Sequence, residues 1–194
     1  MAAALVTAPI ALADGDPASD YLITQPVFLP FDAKVSAARA ESLTGLLAAA
    51  REKGFPLKVA VIAGRFDLGS VPSLFGKPQQ YASFLGQEDY YYFKDELLVV
   101  MPQGFGLYKR GGLPPGDRAA VAALPAPAGS SGDELAAAAE RAVRALASRR
   151  GLALPAAAAA PGSSSRWRDR AVILAGALVL AALAFVLRLV LRRR

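Results

Sequence analysis

The chain has 194 residues, no cysteine, no histidine and a formal net charge of +6. The missing residue types exclude disulfides, zinc sites built on Cys or His, cysteine nucleophiles and Ser-His-Asp triads, so a packed core must supply stability. Seven Arg and one Asp lie in residues 166–194, which leaves fifteen basic and fifteen acidic residues in 1–165. This neutral body argues against nucleic-acid binding, which needs a basic surface for phosphates.

The first residues have the pattern of the end of an export signal. Residues 2–12 are an apolar stretch that ends in Ala11-Leu12-Ala13, a small-x-small cleavage pattern directly before Asp14. The first basic residue is Lys34, so the basic segment that opens such a signal is missing. We predict a truncated signal peptide in residues 1–13; an alanine-rich tail of a cytoplasmic protein is the alternative.

Four elements are predicted in the first half of the body. Residues 21–29 are short apolar pieces broken by prolines, which indicates an extended segment. Ser36 can cap a helix over 37–53, whose leucines share one face. The apolar run 57–63 predicts a central strand, and residues 77–86 predict a short helix with a proline near its start and a glycine at its end.

A hairpin and a long helix are predicted in the second half. Residues 90–93 and 97–101 are apolar runs separated by a polar turn. Ser131 and Glu134 form a capping box for a helix that ends at Arg150. Helix, strand, helix, hairpin and helix in this order predict a small α/β fold, a mixed sheet with packed helices.

Two sequence elements point to a family. The first helix is followed by Val59-Ala60-Val61-Ile62, and Val99-Val100-Met101 leads into Gly104-Phe105-Gly106-Leu107. This arrangement resembles the TPM domain, a family named for thylakoid photosystem-repair proteins and their membrane-anchored relatives. The resemblance covers roughly residues 21–150. It implies an extracytoplasmic α/β domain, placed here at 14–150, and either phosphatase activity or assistance to other membrane proteins.

The end of the chain is predicted to be a membrane anchor. Residues 151–165 carry no charge and predict a flexible linker. Residues 171–187 are uncharged and bounded by arginines, a run of roughly 26 Å as a helix, so 166–194 predicts a transmembrane helix with Arg flanks. Four Arg follow the run and three precede it, which favours a cytoplasmic C-terminus.

The predicted location is therefore the cytoplasmic membrane, crossed once, with the globular domain outside the cell's cytoplasm. Sixteen Arg against six Lys, together with frequent Gly, Ala and Pro, is typical of a GC-rich bacterial genome. The lipid bilayer is then one partner, and a membrane or envelope protein is the second.

A polar cleft is the first candidate site. Ligands of open α/β sheets usually meet the carboxyl ends of strands, where this chain places Arg65, Asp67, Lys77 and Gln103. If the loops that carry them are neighbours, these side chains line one cleft. The alternative is that the glycines there only shape a turn and that Arg65 pairs with Asp67 or solvent.

An aromatic contact surface is the second candidate. Alternation along the predicted strand 90–93 places Tyr90 and Tyr92 on one face, where they can contact a partner or pack in the core. Asp89 and Asp95 raise the possibility of calcium, but they would lie about 20 Å apart at opposite ends of that strand. No metal, cofactor or catalytic residue is predicted.

Two functions are compatible with these features. The preferred one is a membrane-anchored extracytoplasmic interaction or accessory module for a partner membrane or envelope protein, because no catalytic constellation is present. The alternative is a TPM-like metal-dependent phosphatase or other hydrolase, with the metal held by carboxylates such as Asp67.

Overall fold

The computed structural model describes residues 15–89, 91–92 and 94–156, which form an α/β fold. The helices are α1 (Pro17–Thr24), α2 (Ala37–Glu52), α3 (Pro78–Glu88), α4 (Asp117–Ala122) and α5 (Gly132–Arg149). The strands are β1 (Val27–Phe28), β2 (Leu57–Val61), β3 (Glu96–Met101) and β4 (Gly104–Tyr108). Two short 3-10 helices, Arg65–Leu68 and Pro72–Leu74, connect β2 to α3.

The four strands form one mixed sheet in the order β1-β2-β3-β4. β1, β2 and β3 run parallel, whereas β4 pairs antiparallel with β3. Leu57 lies opposite Glu96, so β2 and β3 begin side by side at one edge of the sheet, the edge formed by the amino ends of these strands. The predicted mixed sheet is confirmed, and this edge holds the site described below.

Helices cover both faces of the sheet, which explains why the central strands are apolar throughout. On the β2 segment, Leu57, Val59 and Val61 belong to the core formed with α2 and α5. The alternate residues, Ala60 and Ile62, belong to a second core formed with α1 and α3. The alternation follows from the two-residue period of side chains along a strand.

The prediction of an extended segment over 21–29 is wrong for 21–24, because Pro17–Thr24 is the helix α1, and it is confirmed for Val27–Phe28, which form β1. Asp16 caps this helix: its Oδ1 accepts hydrogen bonds from the backbone N–H groups of Ala18 and Ser19, at 2.9 and 3.3 Å. The same carboxylate accepts from the hydroxyl of buried Tyr81 at 2.8 Å, which ties α1 to α3. Burial raises the pKa of Asp16 to about 6, although these hydrogen bonds act to lower it.

The predicted hairpin is wrong, because the real hairpin lies one segment later. Tyr91 and Tyr92 form part of a turn, and β3 pairs instead with β4 through the turn at Pro102 and Gln103. Tyr92 therefore does not share a strand face with Tyr90, which itself lies outside the described residues.

The C-terminal helix agrees with its prediction. Its capping box is present, with Ser131 Oγ accepting from the backbone N–H of Glu134 at 3.3 Å. Beyond α5 the chain stays against the domain: Leu152 packs on the core, and Arg144 Nε donates to the carbonyl of Pro155 at 3.0 Å. The first six residues of the predicted linker, 151–156, thus lie on the domain surface.

The predicted signal peptide, 1–13, and the predicted anchor, 166–194, both lie outside the described residues. Within the ranges that the structure describes, no helix has the length and apolar character needed to cross a membrane.

Candidate functional site

A cleft of about 530 Å³ opens at the edge of the sheet where β2 and β3 begin. Its wall comes from the end of α1, the last turns of α2, the start of β2 and the loop between α3 and β3. We call it the amino-edge cleft and define it by Leu47, Arg51, Lys58, Tyr92, Lys94 and Asp95.

The amino-edge cleft combines a buried apolar wall with exposed aromatic side chains. Leu47 of α2 belongs to the core and also lines the cleft, next to Ile23 from the end of α1. Tyr91 and Tyr92 lie at its opening, where they are 88% and 68% exposed. Large aromatic side chains that stand in solvent beside an apolar wall are typical of contact surfaces.

Lys58 is the charged group at the base of the cleft, and only 8% of it is exposed. Its Nζ donates to the carbonyl of Leu22 and, at 3.3 Å, to the carbonyl of Ile23. These carbonyls belong to the last turn of α1, whose dipole favours a cation. Burial lowers the pKa of Lys58, while Asp95 and Asp89 act to raise it.

Asp89 is the buried carboxylate nearest to this arrangement. It follows the last residue of α3, is almost completely buried, and its Oδ2 has no hydrogen-bond partner among the described residues. Burial raises its pKa to about 7, with Glu88 adding to the effect and Lys58 opposing it.

Asp89 and Asp95 were expected at opposite ends of a strand, but residues 91–92 between them form a turn. Both carboxylates lie close enough to Lys58 to shift its pKa. Even so, the described part of the chain contains no group of three or more acidic side chains that could hold a metal ion.

The outer wall of the cleft is charged. Arg51 and Asp95 approach to 4.0 Å and are both partly or largely exposed, an arrangement worth at most about 1 kcal/mol. Lys94 is exposed, and it forms no ion pair with a described residue.

The predicted polar cleft lies at the opposite edge of the sheet. Arg65, Lys77 and Gln103 are exposed there, and the side chain of Gln103 lies beside Gly76, the neighbour of Lys77. Asp67 is buried. The structure thus places the four residues at one edge and brings Gln103 near the Lys77 segment; their role as a common site stays a prediction.

Asp67 has a structural role, because both of its carboxylate oxygens accept hydrogen bonds from backbone N–H groups. Its Oδ1 accepts from the backbone N–H of Phe31 at 3.0 Å. Its Oδ2 accepts from the N–H groups of Ala63 and Gly64 at 2.8 and 2.9 Å. The side chain therefore joins the segment after β1 to the turn after β2.

Sequence reasoning missed most of the amino-edge cleft. One signal was available: Lys58 is the only charged residue in the apolar run 57–63, and a charge in a central strand needs a partner or a function. Arg51 and Lys94 carry no such signal, because an exposed basic residue at the end of a helix or in a loop is ordinary.

Comparison with known proteins identifies no family. No protein-family model matches the chain, and no curated protein matches it. A similar solved structure is the solution NMR structure of the N-terminal domain of the cg2496 protein from Corynebacterium glutamicum, with 12% sequence identity and a TM-score of 0.44. The match covers 84% of this chain and 92% of that chain. The resemblance to the TPM domain stays a prediction.

Proposed function

We propose that this protein is a membrane-anchored interaction module, whose α/β domain lies outside the cytoplasm and binds a membrane or envelope protein through the amino-edge cleft. The observation that carries the proposal is the pair Tyr91 and Tyr92, exposed beside an apolar wall. Tyrosine supplies a large contact area at little conformational cost, and it is among the residues whose truncation most weakens interfaces.

Binding suits this cleft better than catalysis does, because the buried charged group that lines it already has a structural task. The ammonium of Lys58 holds the end of α1 through two backbone carbonyls. Asp89 lies beneath the surface rather than at the opening. The groups of the cleft that are exposed to solvent are its tyrosines and its outer charges. Such groups are typical of recognition surfaces.

The predicted membrane anchor is consistent with the same function. A tether at residues 157–165 followed by a spanning helix at 166–194 would hold the domain within reach of other proteins in the same bilayer. Confinement to one membrane raises the effective concentration of a partner, so a modest interface is sufficient.

The test uses the tagged full-length chain and its variants to recover a partner from solubilised membranes of its own host. It compares the amounts that each version recovers. We expect one envelope protein in stoichiometric amount, and a loss of at least about tenfold when Tyr91 and Tyr92 are both replaced by alanine. The matched control is Phe66→Ala, an aromatic side chain that is 82% exposed at the opposite edge of the sheet. Repeated recovery of nothing by the unaltered chain, or equal recovery by the double variant, would contradict the proposal.

A further inference from the structure

The charges of the amino-edge cleft are unbalanced, although the body of the protein is neutral. Among its defining residues, Arg51, Lys58 and Lys94 are basic and only Asp95 is acidic. Lys58 is only 8% exposed, and its ammonium already donates to two backbone carbonyls. The charges offered to a partner are therefore Arg51 and Lys94 against Asp95.

Both basic side chains are available for new contacts. The contact of Arg51 with Asp95 is long and exposed, so an incoming carboxylate can replace it at little cost. Lys94 has no competing ion pair among the described residues. An acidic group in the cleft would meet two exposed cations, Arg51 and Lys94.

The shape of the cleft indicates what accompanies the acidic group. A volume of about 530 Å³ accommodates one or two large side chains, and the wall next to it is formed by Leu47 and Ile23. An aromatic or large aliphatic side chain can insert there and contact Tyr92 at the opening.

We propose that the amino-edge cleft recognises an acidic peptide segment, in which an aromatic or large aliphatic side chain fills the cavity and a neighbouring aspartate or glutamate contacts Lys94 and Arg51. This inference rests on the proposed function and adds the chemistry of the partner segment.

An anionic lipid surface is a weaker fit to the same charges. Each basic residue near such a surface contributes about 1 kcal/mol, and the exposed charges of the cleft sum to a single positive charge. A bilayer also cannot fill a cavity that has its own apolar wall. A peptide can use both the charge and the volume.

The experiment measures binding of synthetic probe peptides to the full-length chain in neutral detergent micelles. Three peptides carry the same central tryptophan and the same uncharged dye, and the residues beside the tryptophan are aspartate, serine or lysine. We expect the aspartate peptide to bind about fivefold more tightly than the serine peptide, and the lysine peptide to bind most weakly.

Charge reversal at one position identifies the contact. Lys94→Glu should weaken binding of the aspartate peptide about tenfold and strengthen binding of the lysine peptide. The matched control is Lys77→Glu, the same change of charge at an exposed position on the opposite edge of the sheet, which should leave both affinities unchanged.

The outcomes separate this inference from the proposed function. If replacing Tyr91 and Tyr92 by alanine abolishes peptide binding but all three peptides bind equally, the acidic specificity is overturned and the contact surface stands. If the alanines have no effect on any peptide, the proposed function fails. Binding to vesicles with one third anionic lipid, together with no binding of any peptide, would overturn the inference in favour of a lipid. A loss of aspartate-peptide binding caused by Lys77→Glu rather than by Lys94→Glu would also overturn the inference.

Discussion

Replacing Gly106 with alanine should destabilise the domain by at least about 3 kcal/mol. Gly106 lies in β4 opposite Val99, and an added Cβ would overlap the backbone of Pro78 and Gln79 in the first turn of α3. Because these atoms belong to the backbone rather than to a flexible side chain, the start of α3 must move. Urea unfolding of the full chain in a mild detergent, followed by circular dichroism, measures the change in the free energy of unfolding.

The control for this change is the same substitution at Gly45, in the middle of α2. An added Cβ there meets no atom within 4 Å. Glycine costs a helix interior about 0.5–1 kcal/mol relative to alanine, so Gly45→Ala should stabilise the domain. If the two substitutions changed stability by similar amounts, the close packing of α3 on β4 would be wrong.

The replacements Asp67→Asn and Asp89→Asn should have opposite effects, although both side chains are equally buried. Asp67 accepts three backbone N–H groups, and an amide would turn one of its acceptors into a donor that faces another donor. We expect a loss of about 2–4 kcal/mol, since each hydrogen bond to a charged group contributes about 1.5–3 kcal/mol.

Asp89→Asn should instead stabilise the domain at pH 8, by on the order of 2 kcal/mol. Burial raises the pKa of Asp89 to about 7 from its ordinary value of 3.8, so the folded state holds its proton more tightly than the unfolded state does. Its contribution to stability is complete below pH 4 and is lost as the pH rises to about 7. Asparagine cannot ionise, and Lys58 keeps the two carbonyls of α1 in the variant.

Urea unfolding at several pH values between 4 and 8 measures both effects. The profile of Asp89→Asn should be flatter than that of the unaltered chain. The remaining slope should reflect Asp16, whose pKa burial raises to about 6, together with Glu88 and Glu96, whose pKa values burial also raises. Asp67→Asn should be destabilised throughout this range. An unchanged slope for Asp89→Asn, or a gain in stability for Asp67→Asn, would contradict these assignments.

The elements that the sequence predicts correctly are those with a strong local pattern. The helix over 37–53 has an apolar face, although Ser36 makes no capping side-chain hydrogen bond. The helix that ends near Arg150 has a capping box, and the run 57–63 is too apolar to lie anywhere but in the sheet interior. In each case the local preference and the final environment agree, so the assignment needs no knowledge of distant contacts.

The errors at α1 and at the aromatic run 90–93 have different reasons. α1 has only eight residues, and the prolines that follow it suggested an extended chain, although Asp16 before Pro17 is a helix start signal. The aromatic run 90–93 has a high strand preference, but β3 already has β2 on one side and β4 on the other. That competition is a long-range property, and it overrides local preference.

The predicted polar cleft and the amino-edge cleft lie at opposite edges of the sheet. The usual rule for α/β folds favours the carboxyl ends of strands, whereas the amino-edge cleft uses the start of β2. Its residues come from segments as distant in sequence as Ile23 and Lys94. No local pattern brings these segments together; only the packing of α1 and of the loop after α3 does so.

The central claim is that the amino-edge cleft is the surface that meets the partner. Its most direct test places a photo-activatable amino acid at position 92 in the full-length chain, expressed in its own host, with position 66 as the control on the opposite edge. The account predicts a single crosslinked envelope protein from position 92 and none from position 66. A crosslink from position 66 alone, or none from position 92 while the same partner co-purifies, would contradict it.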